Sequence, residues 1–117
     1  MIRGAVYQVD FTAARGQELR GRRLGVLMSP TNSRLSVVTV VPVSIDALPA
    51  AQRPELEIAG QTRRVLCEQV RSIDARSVIG DPVGFLSRDE MAEVEFALSC
   101  YLGLVPYPDD YPTRSAG

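Results

Sequence analysis

Four arginines interrupted by glycines lie between residues 15 and 23, immediately before an apolar segment. In a strand, the adjacent Arg22 and Arg23 must point to opposite faces, so one can face a groove while the other faces solvent. A guanidinium presents a planar fork that matches phosphate oxygens in a bidentate way. The stretch is therefore typical of a phosphate-binding loop, with an ordinary solvated loop of an arginine-rich protein as the alternative.

The residue types that the chain lacks restrict its chemistry further. It has 13 basic residues, all of them arginine, and no histidine. This excludes a nuclease that uses paired histidines as acid and base, a histidine-ligated metal site and a Ser-His triad. Cys67 and Cys100 are far apart without CxxC spacing, so reduced structural thiols are expected rather than a metal site. Any reaction must use arginine, carboxylate, hydroxyl or thiol groups.

Charge is unevenly distributed along the 117 residues, although the net charge is only −1. Residues 1–76 contain 11 arginines and 7 acids, which gives +4, whereas residues 77–117 contain 2 arginines and 7 acids, which gives −5. A basic body is the electrostatic pattern expected of a nucleic-acid binder, and here it is supporting evidence only. The length fits one domain, and no apolar run reaches the roughly 20 residues of a membrane span. No signal peptide precedes the first strand, so a soluble, cytoplasmic protein is expected.

Strand patterns dominate the first two thirds of the chain. The predicted strands cover residues 5–11, 24–28, 36–44 and 78–83, and residues 55–59 and 62–70 are predicted to form a hairpin around Gly60-Gln61. The third strand is nearly continuous in valine, which predicts burial on both faces, and Pro42 should mark its end or a bulge. Gly80 and Pro82 should limit the length of the last strand.

A C-terminal helix is the clearest single element. Ser87 and Glu90 have capping-box spacing, and Gly103 is a natural stop. One apolar face is predicted from residues at helical spacing, namely Met91, Val94, Leu98, Tyr101 and Leu102. Short strands followed by one helix predict an α+β fold that is mainly β, a small bent antiparallel sheet or barrel with the helix as its cap. Residues 105–117, which prolines interrupt, should form a flexible tail.

Five short motifs occur in an order and spacing that is more specific than any one of them. They are Arg3-Gly4-x-Val6-Tyr7-x-Val9-Asp10, Gly16-x-Glu18 with Gly21-x-Arg23, Val40-Val41-Pro42-Val43-Ser44, Val65-Leu66-Cys67-Glu68-Gln69-Val70-Arg71-Ser72-Ile73-Asp74, and Gly84-x-Leu86-Ser87-x-x-Glu90-Met91. Together they resemble the MazF/PemK family of toxins from toxin–antitoxin systems. The resemblance covers residues 3 to about 104, so residues 1–104 are expected to form the toxin domain.

The resemblance implies an SH3-like barrel of the CcdB/PemK type with a C-terminal helix, assembled as a homodimer. It also implies a sequence-specific endoribonuclease, an mRNA interferase that cuts single-stranded RNA without a metal or another cofactor. The products would be a 2′,3′-cyclic phosphate and a 5′-hydroxyl. The implied partner is a cognate antitoxin whose acidic, extended segment occupies the RNA groove.

By position in the motifs, the resemblance implies three catalytic residues, Arg23, Ser44 and Glu68, converging from three strands. Arg23 would stabilise the pentacoordinate phosphorane, Ser44 would hydrogen-bond a phosphate oxygen, and Glu68 is the acid–base candidate. RNA contacts are expected from four further residues, Gln17, Arg20, Arg22 and Gln69. The two arginines of this set should contact the phosphate backbone, which positions an RNA without reading its sequence.

Three departures from the family pattern affect this site. Ser44 stands where the family usually has threonine, and it keeps the hydroxyl. Leu24 replaces a proline that would fix the backbone beside Arg23, so the arginine is expected to be held less rigidly. Leu66 replaces an arginine that some members place two residues before the assisting acid.

Several alternatives stay open on the sequence. Glu68 could form a structural ion pair with Arg71 or another arginine, and Ser44 could cap a turn at the end of its strand. A protein of the same fold could act by binding DNA gyrase through its C-terminal helix, although the sequence indicates no strong exposed aromatic patch on this helix. A degenerate member could bind the antitoxin without cutting RNA.

Overall fold

The computed structural model describes residues 1–12, 16, 20–30 and 36–109 of the chain. Its strands and helix are β1 Ala5–Asp10, β2 Arg22–Leu27, β3 Val37–Ser44, β4 Glu55–Ile58, β5 Gln61–Val65, β6 Arg71–Asp74, β7 Val78–Phe85 and α1 Arg88–Tyr101. Two short 3-10 helices, Cys67–Gln69 and Ala75–Ser77, flank β6. The expected α+β architecture, a bent antiparallel sheet followed by a C-terminal helix, is confirmed.

The sheet is antiparallel throughout, with its strands in the order β4-β5-β3-β2-β1-β7, while β6 pairs with β3 beside this path. Both faces are packed at the centre of the sheet, because alternate residues of β1 belong to two separate clusters. One cluster joins Val6, Val26 and Val43 to Met91 and Val94 of α1. The other is formed by Ala5, Tyr7, Val9, Phe11, Leu27 and Val40.

Strand β3 continues through Pro42, so the predicted end or bulge at this residue is wrong. One edge of β3 pairs Val40 with Arg71 of β6 and then Val43 with Val65 of β5. Pro42 lies at this change of partner, where its carbonyl accepts a hydrogen bond from the Leu66 N–H at 2.9 Å. The missing proline N–H falls on the same edge, at a point where no ladder bond needs it. The predicted burial on both faces applies only to the second half of the strand.

The hairpin of β4 and β5 is confirmed, but its turn is Ala59-Gly60 rather than Gly60-Gln61. Both turn residues have positive φ, 53° and 77°, as a two-residue hairpin turn requires. The predicted second strand over residues 62–70 is wrong in its last part. The strand ends at Val65, and the chain then turns through the Cys67–Gln69 3-10 helix.

Gly80 and Pro82 do not end β7, which runs on to Phe85. The register of β7 against β1 shifts between Val6, opposite Gly84, and Gln8, opposite Ile79. Residues 80–83 therefore bulge out of the ladder, and the positive φ of Gly80, 71°, lies within this bulge. The two residues shape the strand instead of terminating it.

Helix α1 begins and ends as the sequence predicts. The Ser87 hydroxyl accepts from the Glu90 N–H at 3.1 Å, and Glu90 accepts from the Ser87 N–H at 2.7 Å, which completes the capping box. Gly103, with a φ of 75°, follows the last turn in the left-handed conformation. The buried face differs from the predicted one, because it contains Met91, Val94, Ala97 and Cys100, whereas Tyr101 and Leu102 are exposed.

Only residues 105–109 of the predicted tail are described. Residues 110–117 of the predicted tail lie outside the described residues. Within the described part, no helix is long and apolar enough to cross a membrane. Cys67 and Cys100 are both buried and are not joined in a disulfide.

Candidate active site

A groove of about 380 Å³ lies beside the core cluster that α1 covers, and it takes Leu24 and Val43 from that cluster. Its walls come from distant parts of the chain, brought together by the pairing of β1, β2, β3, β5 and β7. The residues that line it are Gln8, Arg22, Arg23, Leu24, Val43, Ser44, Ile45, Ala59, Arg63 and Val83. Arg23 and Ser44, two of the three predicted catalytic residues, therefore share one groove.

The groove is positively charged. Among the described residues, three arginines line it, Arg22, Arg23 and Arg63, and none of the described lining residues is a carboxylate. Within the described part of the chain, no acid forms an ion pair with any of the three. Arg22 lies opposite Asp10 in the β1–β2 ladder and interacts with its carboxylate through space. Guanidinium groups in a concave surface attract anions, and their flat forks suit phosphate oxygens. The arrangement suits a polyanion such as a nucleic-acid backbone.

Arg23 is held in place although Leu24 replaces the proline of the family pattern. Its backbone pairs with Val9 of β1, and its Nε donates to the Arg20 carbonyl oxygen at 3.0 Å. Leu24 is itself buried in the core. The backbone pairing with β1 and the side-chain hydrogen bond thus restrict Arg23. They take the place of the fixed φ that a proline at position 24 would supply.

Ser44 ends β3 and is a buried polar residue, only 5% exposed. Its Oγ donates a hydrogen bond to Oδ1 of Asp46 at 2.8 Å and accepts one from the Asp46 N–H at 3.3 Å. The turn-capping role, an alternative left open on the sequence, is therefore present together with the position in the groove. Asp46 was not among the predicted site residues, although an acid two residues after a serine is a recognisable local pattern.

Glu68 lies away from this groove. Glu68 was predicted to lie on a strand, but it lies in the Cys67–Gln69 3-10 helix. Its Oε2 accepts from Nε of Arg53 at 2.8 Å and lies 2.6 Å from Nη2 of the same guanidinium. The side chain is 16% exposed, and its Oε1 is buried without a hydrogen-bond partner among the described residues. The alternative of a structural ion pair is the observed one, with Arg53 rather than Arg71.

The predicted RNA contacts are only partly brought together. Arg22 lines the groove, whereas Arg20 is exposed and contributes its carbonyl to Arg23. Gln69 accepts from Nη2 of Arg71 at 3.1 Å, outside the lining of the groove. Gln17 lies outside the described residues.

Two polar residues in the described lining were missed from the sequence, Gln8 and Arg63, together with apolar ones such as Ile45 and Val83. Arg63 and Arg64 are adjacent on β5, so they must point to opposite sides of the strand. Arg64 pairs with Glu55 at 3.0 Å, while Arg63 lines the groove and its Nε donates to the Ile58 carbonyl. The adjacent arginines were the available signal. Nothing local distinguished Gln8 from other exposed strand residues.

A buried thiol lies beside the Glu68 ion pair. Cys67 is fully buried, and this burial, with a smaller contribution from the negative charge of Glu68, raises the pKa of its thiol from 9.0 to about 12. A thiol in this environment stays protonated at neutral pH. The described residues contain no group of three or more side chains suited to hold a metal ion.

Comparison with known proteins places this architecture in a family. Residues 2–102 match the family described as PemK-like, MazF-like toxins of type II toxin–antitoxin systems. The chain belongs to this family. The resemblance stated from the five sequence motifs is thereby confirmed.

Among curated relatives of this MazF-like chain, a toxin candidate of Mycobacterium tuberculosis is 56% identical over 105 residues, which cover 89% of this chain and 99% of the relative. Endoribonuclease MazF9 of the same organism is 33% identical over 119 residues, covering 89% and 98% of the two chains. The crystal structure of MazF from Deinococcus radiodurans superposes with a TM-score of 0.79 at 28% identity, covering 88% of this chain and 96% of that one.

Proposed function

We propose that this MazF-like chain is a sequence-specific endoribonuclease that cuts single-stranded RNA without a metal ion, leaving 2′,3′-cyclic phosphate and 5′-hydroxyl ends. Family membership and the relative named Endoribonuclease MazF9 support the reaction class. The observation that carries the proposal is the convergence of Arg23 and Ser44 in one groove whose described lining includes three arginines and no carboxylate.

The arginines of the groove have two proposed roles, which are to stabilise charge in the transition state and to bind RNA phosphates. Cleavage passes through a phosphorane with additional negative charge on its oxygens, and the Arg23 guanidinium can hydrogen-bond two of these oxygens. Arg22 and Arg63 would hold neighbouring phosphates, which fixes the position of the strand without reading its sequence.

We assign base recognition in the groove to lining side chains other than the arginines. An unstacked RNA base presents hydrogen-bonding edges and an apolar face. Gln8 offers an amide that can both donate and accept, whereas Ile45 and Val83 offer apolar surface that is 58% and 46% exposed. We assign sequence selection to these three residues within the proposal.

The expected partners, an antitoxin and a second copy of the chain, belong to the same proposal. A solved structure of MazE–MazF from Deinococcus radiodurans is 26% identical to this chain with a TM-score of 0.71, covering 88% of this chain and 95% of that one. We infer a cognate antitoxin whose acidic segment competes with RNA for the cationic groove. The homodimer, the toxin domain of residues 1–104 and the flexible tail of residues 105–117 are part of this proposal.

The deciding experiment incubates the purified protein with a long RNA in EDTA. Wild type should give discrete cuts, and Arg23→Ala should cut at least about 100-fold more slowly, as expected when a positioned donor to the transition state is lost. Arg76→Ala is the matched control, because Arg76 is exposed and pairs with Asp74 outside the groove. Replacing the ribose 2′-hydroxyls by 2′-O-methyl groups should abolish cleavage.

Failure has distinct forms in this experiment. A wild-type protein that cuts no RNA under any condition overturns the proposed activity. Cleavage in EDTA that is unchanged in Arg23→Ala overturns the role of Arg23 while leaving the activity in place. Antitoxin binding without cleavage would identify a degenerate member of the family.

One observation favours a second candidate function, binding to a protein partner, and the resemblance to the CcdB/PemK-type fold suggests DNA gyrase as the partner to test. The last part of α1 and the following residues expose Tyr101, Leu102 and Leu104, by 44%, 53% and 72%. Exposed apolar side chains close together mark protein-interaction surfaces. Inhibition of gyrase supercoiling by the purified protein, without RNA cleavage, would favour this alternative.

A further inference from the structure

We propose that Asp46 is the proton acceptor of the cleavage reaction and that it acts through the Ser44 hydroxyl. The inference rests on the proposed ribonuclease function and names the base that the reaction needs. The starting point is the lack of a base among the described lining residues, because none of them is a carboxylate and Glu68 is bound to Arg53 outside the groove. Asp46, a described carboxylate, lies one hydrogen bond from the groove, through Ser44.

The direction of the Ser44 hydrogen bond decides what this residue can contact. A hydroxyl has one proton, and Ser44 gives it to Oδ1 of Asp46 at 2.8 Å. One lone pair of Oγ receives the Asp46 N–H at 3.3 Å, which leaves one lone pair for a ligand. In this arrangement Ser44 can only accept a hydrogen bond from a molecule in the groove.

The RNA backbone offers one kind of donor to such an acceptor. Phosphate and ether oxygens of the backbone only accept hydrogen bonds, whereas the ribose 2′-hydroxyl also donates. Ser44 is therefore placed to receive the 2′-hydroxyl, not to donate to a phosphate oxygen as the sequence analysis expected. The 2′-hydroxyl is also the group that must lose its proton when it attacks the phosphorus.

The proton and electron transfers balance along this chain of groups. The 2′-oxygen forms a bond to phosphorus as its proton passes to Oγ of Ser44, and Ser44 passes its own proton to Oδ1 of Asp46. The bond from phosphorus to the 5′-oxygen breaks, and that oxygen takes a proton from water. Asp46 is exposed and returns its proton to the solvent, so the protein regains its starting state.

Asp46→Asn tests the relay, because the amide oxygen can still accept the Ser44 hydrogen bond but is a very weak base. Single-turnover cleavage should slow by about 100-fold or more, within the usual contribution of a positioned base. Binding of an uncleavable 2′-O-methyl RNA should change by less than about threefold, because no phosphate contact is removed. Asp89→Asn is the matched control, since it removes one exposed carboxylate outside the groove.

Variants of Ser44 complete the test. Ser44→Thr keeps the hydroxyl and should keep the reaction, whereas Ser44→Ala should lose about as much rate as Asp46→Asn. Because the two groups act in series, the double variant Ser44→Ala/Asp46→Asn should be no slower than either single variant. Thermal melts that match wild type would show that each variant is folded.

The outcomes separate this inference from the proposed function. Wild-type rates in Asp46→Asn would overturn the relay while the ribonuclease function stands. Multiplicative losses in the double variant would also overturn it, because they would show that Asp46 and Ser44 act independently. A wild-type protein that never cuts RNA would overturn the function and the relay together.

Discussion

In two regions of the molecule an arginine lies close to polar side chains from elsewhere in the chain. In one region the arginine is not paired with a described carboxylate, and in the other it is. In the groove, Arg23 shares a surface with Ser44, Arg22 and Arg63, and no lining residue in the described part of the chain is acidic. Beside the Cys67–Gln69 3-10 helix, Arg53 binds Glu68 at 2.6 Å, and the two side chains are 26% and 16% exposed. The first region is an open, charged surface, whereas the second is a closed, neutralised one.

The comparison shows that residue type alone does not give an arginine its role. A guanidinium that already holds a carboxylate has little remaining field for an external anion, since the two charges largely cancel at a distance. One whose neighbours are arginines and a backbone carbonyl keeps its attraction for phosphate. Arg53 therefore stabilises the fold, and Arg23 is available to a ligand.

The largest expected effect is on the alkylation rate of Cys67, which lies beside the Arg53–Glu68 ion pair. With a pKa raised from 9.0 to about 12, Cys67 has roughly a thousandfold less thiolate at pH 8 than an ordinary cysteine. We expect iodoacetamide to modify Cys67 at least about a thousandfold more slowly in the native protein than in urea. Peptide mass spectrometry measures each site separately. Rapid native labelling would show that the 3-10 helix opens, and the comparison would fail.

The next effect is on stability, at the ion pair. Glu68→Ala leaves the Arg53 guanidinium partly buried without its carboxylate, which should lower the free energy of unfolding by about 1–3 kcal/mol. Urea denaturation measures the loss, and Arg53→Met with the double variant measures the coupling between the two side chains.

The same variant tests the catalytic role predicted for Glu68 from the sequence. Because Glu68 does not line the groove, the cleavage rate of folded Glu68→Ala should stay within about threefold of wild type. A cleavage rate about 100-fold lower in folded Glu68→Ala would show that the Glu68 carboxylate takes part in catalysis.

The smallest effect separates two adjacent arginines of β5. Arg63→Ala should weaken binding of an uncleavable single-stranded RNA several-fold and reduce the salt dependence of binding by about 0.7 in the log–log slope. Arg64→Ala is the matched control, because Arg64 already pairs with Glu55 and does not line the groove. Equal log–log salt slopes for the two variants would contradict the assignment of Arg63, but not Arg64, to RNA binding.

Much of the fold could be predicted from local patterns. The capping box of Ser87 and Glu90 and the stop at Gly103 depend on residues within one or two helical turns, and both were found as expected. The hairpin was also correct to within one residue of its turn. Pro42 and the β7 bulge were predicted wrongly, because their effect depends on which strand lies opposite and where its ladder bonds fall.

The candidate site was predictable to a smaller extent. Arg23 and Ser44 were identified through the family motifs, and the turn-capping contact of Ser44 with Asp46 spans only two residues. Gln8 and Arg63 could not be assigned in advance, because their place in the groove depends on how five strands are arranged. Glu68 was assigned to a strand, since its sequence neighbours have strand character, and the turn at Cys67–Gln69 removed it from the expected position.

By itself the sequence determined the family, the succession of strands and the final helix, and the set of residue types available for chemistry. These follow from hydrophobic pattern, capping residues and motif order, which act over short stretches of chain. Only the tertiary structure decided which arginine is neutralised and which one faces the groove. Charges interact through space over a few ångströms, so their pairing depends on packing between residues such as Arg53 and Glu68, which are 15 positions apart.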